Sequence, residues 1–139
     1  MQLNFTGLIA AISAFSGVWL GHVSVRIIER NARKLWLPIF IAIVLGLSLE
    51  AWSLLTEHWL LNTVLGILGI TILWDALEFV RQEKRIKKGH APADPSNPRH
   101  AQILTDHPKA TTLDLLKRDP IGRSVTADEA IRLLTETDY

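Results

Sequence analysis

Apolar positions collect into three long runs: Phe5 to Gly21, Leu35 to Leu49 with a weaker continuation to Leu55, and Trp59 to Val80. A membrane span needs about 20 mostly apolar residues to cross roughly 30 Å of hydrocarbon. Each run reaches that length once the first is extended through Val23 and Val25 toward Ile28. Helices in the core of a soluble bundle would each need a polar face, yet no charged residue lies between Leu35 and Leu49. The pattern predicts an all-α fold, an integral membrane bundle of three transmembrane helices over about 4–28, 35–55 and 59–80. Pro38 falls early in the second run, where its missing N–H is tolerated, and marks a helix start or an interfacial bend.

Composition sharpens this picture. A chain of 139 residues that is 48% hydrophobic and 21% charged must keep the two kinds of residue apart. Residues 1–88 carry nine Lys or Arg and six Asp or Glu, a balance of +3; residues 89–139 carry six and eight, a balance of −2. The expected organisation is a transmembrane module over 1–88 and a cytoplasmic tail over 89–139. A net charge of +1 provides no field for nucleic acid. The absence of cysteine excludes disulfides and thiolate metal sites. Residues 1–4 hold no Lys or Arg, so the first run lacks the basic start of a signal peptide and is expected to remain in the mature chain.

Short loops rich in Lys and Arg stay in the cytoplasm. Arg26, Arg30, Arg33 and Lys34 surround the first connection, and Arg81, Lys84, Arg85, Lys87 and Lys88 follow the third run. The second connection offers only Glu50, Glu57 and His58. The expected topology is therefore N-terminus out and C-terminus in, across a bacterial inner membrane. Trp19 and Trp36 then lie near the inner interface, and Trp52 and Trp59 near the outer one. The juxtamembrane basic residues are read as an anchor on anionic lipid, on a helix that continues the third span with Glu83 and Lys87 at i, i+4. Glu50 is read as an exposed interfacial residue.

Helices in lipid associate through close contact at small residues. Ser13, Gly17 and Gly21 recur at i, i+4, i+8, and Gly46, Gly66 and Gly69 provide similar positions on the other spans. Packing of the three helices on one another is the main expectation, with homodimerisation as the alternative. A second face is polar. At about 100° per residue, His22, Arg26 and Glu29 group together away from the glycines, and Asp75 and Glu78 group together on the third span. Pairing of Arg26 with Asp75 or Glu78, and of His22 with Asp75, would offset the cost of charge in hydrocarbon. The cluster reads either as an ion-pair network that sets helix register or as a proton relay or ligand site.

In the tail, Pro92, Pro95 and Pro98 at i, i+3, i+6 predict an extended linker. Two short helices are expected beyond it. One covers Thr112 to Arg118; the other opens at the capping box Thr126-Ala127-Asp128-Glu129 and runs through Leu134. Two such helices are too small for a core of their own, so they should dock on each other and the membrane helices, bind a partner or order on binding to one, or else remain partly disordered. Phosphate-loop, HExxH and GxSxG patterns are absent. His90, His100 and His107 lack the spacing of a zinc site. No catalytic residue, cofactor or metal is assigned, and no enzyme activity is expected.

The segments Asn4-Phe5-Thr6-Gly7-Leu8-Ile9, His22 with Glu29 seven residues later, Lys34-Leu35-Trp36, Leu65-Gly66-Ile67-Leu68-Gly69 through Trp74, Glu78, and Gln82 to Gly89 with Pro92 and Pro95 carry a resemblance. Over about residues 4–95 the chain resembles a family of small bacterial membrane proteins known only as a domain of unknown function. The resemblance implies a three-span module, supplies no activity, and points to His22, Glu29 and Glu78 as matching positions. The expected function is that of a small membrane accessory or scaffold protein, with membrane lipid and a protein partner or a second copy as its contacts. The alternative is an oligomeric transporter, channel or proton-relay component.

Overall fold

The computed structural model describes residues 5–114 and 125–136. These form five α-helices and no strand: α1 Thr6–Asn31, α2 Trp36–Leu55, α3 Trp59–Lys87, α4 Pro98–Asp106 and α5 Ala127–Glu136. Compact packing divides the chain into two units on either side of the Gln82–Glu83 bond.

In the first unit, α1, α2 and α3 are each long and apolar enough to cross a membrane, and only 17% of each apolar window is buried within the protein. Twenty residues at about 1.5 Å each give α2 a length of about 30 Å, the thickness of a bilayer core. Many of the large side chains point outward: Phe15, Trp19, Trp36, Phe40, Leu54 and Trp74 are all exposed. Small and polar residues line much of the interior, with Ser13, Gly17 and Gly21 on α1 and Ala42, Gly46 and Ser53 on α2 buried. A compact apolar cluster of Val25, Ala42, Ala76 and Phe79, flanked by Leu35, Ile39 and Ile72, draws on all three helices. This inside-out distribution suits hydrocarbon, where tight contact rather than exclusion of apolar surface holds helices together.

A reciprocal clasp closes the short connection between α2 and α3. Ser53 Oγ donates to the Asn62 carbonyl at 3.0 Å, and Asn62 Nδ2 donates to the Ser53 carbonyl at 3.0 Å. Each polar side chain thus satisfies a backbone group on the other helix.

The second unit begins in the last turns of α3. The helix ends in a Schellman motif, with Gly89 N–H bonded to Ile86 O and His90 N–H to Arg85 O. Gly89 has φ 74°, and a Cβ there would collide with the Lys109 carbonyl oxygen, so glycine is required on both counts. Ile86, Ala93 and Ile103 form a small core with Ala91, Leu104 and Ala110.

Two tail expectations change here. The stretch 89–98 is not an extended linker. Asp94 Oδ1 accepts from the Ser96 N–H and hydroxyl, and Asn97 caps α4 by accepting from Arg99 N–H at 3.0 Å, with Pro98 in the first turn. Proline suits that position because its missing N–H would have no partner there. The helix expected over Thr112 to Arg118 has no counterpart at 112–114, which are non-helical; its remainder lies outside the described residues. There the backbone takes other partners: Thr111 O accepts from Ala93 N–H and Thr111 Oγ1 from Leu113 N–H. At the second expected helix, Thr126 Oγ1 accepts from Glu129 N–H and α5 follows.

Candidate functional site

The buried row of α1 is Ser13, Gly17, Gly21, Val25 and Glu29, a strict i, i+4 series. Four residues turn a helix by about 400°, so such a row advances by about 40° per step and winds around its own helix. This explains a departure from the sequence reading. Glu29 lies on the packed face, 1% exposed, and continues the glycine row instead of joining His22 and Arg26, both of which are exposed.

Each glycine of the row receives a side chain from α3. A Cβ at Gly17 would stand 2.8 Å from Thr71 Oγ1, and one at Gly21 would stand 2.6 Å from Asp75 Oδ1. Thr71 Oγ1 donates to its own helix at Leu68 O, 2.9 Å away. Two glycines of α3 receive side chains from α2 in turn. Gly66 faces Ser53 Oγ at 3.2 Å from a notional Cβ, and Gly69 faces Glu50 Oε1 at 2.8 Å. Glu50 is therefore half-buried against α3, unlike the exposed interfacial residue expected from its position. At Gly46 the neighbours are Leu73 and the Gly69 carbonyl. Four of these five glycines make room for polar side chains.

Between α1 and α3 lies a pocket of about 320 Å³, lined by Val18, His22, Ile70, Thr71, Trp74 and Asp75. It brings His22 and Asp75 to one cavity. Arg26 joins neither carboxylate: among the described residues it forms no ion pair with Asp75 or Glu78. Glu78, 3% exposed, is instead bridged by Arg81 at 3.5 Å, and the Arg81 guanidinium lies 4.6 Å from the centre of the Trp74 ring. A local i, i+3 partner on the same helix needs no ordering of a second element, which is why Arg81 serves Glu78 and Arg26 does not. Arg81 thus contacts both Glu78 and Trp74, and Trp74 lines the pocket. An imidazole and a carboxylate on one cavity can exchange a proton or hold a small polar group.

Of the remaining juxtamembrane cations, Lys87 pairs with Glu83 at 2.9 Å, and Lys84, Arg85 and Lys88 are exposed. In the second unit His100 is fully buried, its Nδ1 accepting from Asp94 N–H at 2.9 Å. The Arg99 guanidinium lies 2.9 Å from His100 Nε2 and 3.8 Å from Glu83 Oε1. The only sequence signal for this arrangement was Asn97-Pro98, a helix start obscured by the proline spacing. No group of three His, Asp or Glu able to hold a metal ion occurs among the described residues.

The fold and its inward-facing polar residues define an all-helical protein with three helices able to span a membrane. The chain belongs to the family described as domain of unknown function (DUF4491), whose pattern matches residues 4–97, from just before α1 to the cap of α4. No curated protein and no solved structure matches the chain.

Proposed function

We propose that this protein is a multi-pass membrane accessory or scaffold protein of a bacterial inner membrane, whose tail docks a partner on the cytoplasmic side. Cations flanking the first connection and the end of α3, set against the cation-free segment from Glu50 to Trp59, support an orientation with the N-terminus out and the tail in. The tail unit carries the reading. It has its own small core, begun by Ile86 of α3, while α5 is amphipathic with Ile131 60% exposed. A short amphipathic helix with an uncovered apolar residue fits a partner's groove.

The test is purification in mild detergent of the full chain, of Ile131→Asp, and of a chain ended at Asp114, which keeps α4 and its core. A partner present in stoichiometric amount with the full chain and lost from both variants supports the scaffold role. A homo-oligomer identical in all three overturns it.

The His22–Asp75 pocket favours a second reading, a proton-relay or transport component that works as an oligomer, because three helices enclose no pore. Asp75→Asn and His22→Ala in proteoliposomes should then abolish a proton flux that the unaltered chain supports. Absence of flux from the unaltered protein rejects this reading.

A further inference from the structure

A second groove of the first unit shares no lining residue with the polar pocket. It has a volume of about 630 Å³, between the end of α1 and the start of α2, with Ile27, Ile28, Leu37 and Ile41 along its apolar walls and Arg33 and Lys34 at its mouth. This volume is typical of small-ligand sites, which run from about 300 to 1,000 Å³. Arg33 and Lys34 are exposed and form no ion pair among the described residues, and no Asp or Glu occurs between Arg30 and Leu49 to neutralise them. The first turn of α2 adds no acid and has no side-chain cap, so its free N–H groups reinforce the positive character of the mouth. Trp36, exposed and two residues beyond Lys34, belongs at headgroup level in a membrane-spanning protein.

We propose that this groove is a binding site for one anionic phospholipid, its phosphate held by Arg33 and Lys34 and an acyl chain laid along Ile27, Ile28, Leu37 and Ile41. The occupant follows from the combination of an apolar trough with an uncompensated cationic rim at its end. A second copy of this chain fits less well, because the carboxylates on its first-unit helices are either buried, as Glu29 and Glu78 are, or packed against glycines, as Glu50 and Asp75 are. The site depends on membrane residence and not on partner docking.

Native mass spectrometry of the full chain, with phosphatidylglycerol or phosphatidylcholine of identical acyl chains added to the detergent, reads the preference directly. One phosphatidylglycerol per chain should be retained about thirtyfold more strongly than phosphatidylcholine, the scale expected for two cations beside one anionic headgroup. Arg33→Gln with Lys34→Gln should remove that preference, while Lys84→Gln with Lys88→Gln should keep it. A photoactivatable phosphatidylglycerol should label peptides within residues 27–41. Equal retention of the two lipids, loss of preference only in the Lys84 and Lys88 variant, labelling elsewhere, displacement by inorganic phosphate, or a dimer whose contacts cover the groove would each overturn the proposal.

Discussion

A methyl group at Gly46 would come within 2.6 Å of Leu73 Cγ and 3.0 Å of the Gly69 carbonyl oxygen, so the backbones of α2 and α3 would have to separate. Gly46→Ala should destabilise the bundle by about 1–3 kcal/mol, the range for overpacking. Gly7→Ala meets nothing within 4 Å and should be neutral or stabilising by up to about 1 kcal/mol through helix propensity. Gly21→Ala should be costly alone but much less so with Asp75→Ala, because its clash is with the Asp75 carboxylate. Reversible unfolding in mixed micelles measures all four variants. At this scale the sequence shows where small residues recur but not what fills the space beside them. Glu50 illustrates the limit, since its place near a helix end gives no hint of the socket at Gly69.

Ends and clasps decide how the elements begin, stop and join. Asn97→Ala removes the acceptor for Arg99 N–H and should cost about 1 kcal/mol, read as faster hydrogen exchange across α4 with α1 to α3 unchanged. Ser53→Ala and Asn62→Ala should show a coupling of about 0.6 kcal/mol in a double-mutant cycle, the mean for interhelical hydrogen bonds in a membrane protein. The three long helices were legible because length and uniform apolarity identify them without tertiary information. α4 was not. Asn97-Pro98 supports either a turn in an extended linker or a capped helix start, and burial of His100 and Ile103 with Ile86 selects the second.

For the whole molecule, the orientation argument predicts that a reporter active only in the cytoplasm works when fused after α3 or at the C-terminus and fails between Leu55 and Trp59; the reverse pattern would reject it. Exposed apolar surface over α1 to α3 also predicts extraction by detergent and not by high salt or alkali. By itself the sequence determined the helical class, the three candidate spans and the asymmetry of cations, because these depend on local composition and length. The tertiary structure decided which polar residues meet. An i, i+4 contact row precesses around its helix, carrying Glu29 onto the packed face while His22 and Asp75 share a cavity. Arg81 took the place beside Glu78 proposed for Arg26, since a neighbour three residues away on the same helix is already in position. Such pairings depend on the crossing of helices, and one-dimensional periodicity does not contain a crossing angle.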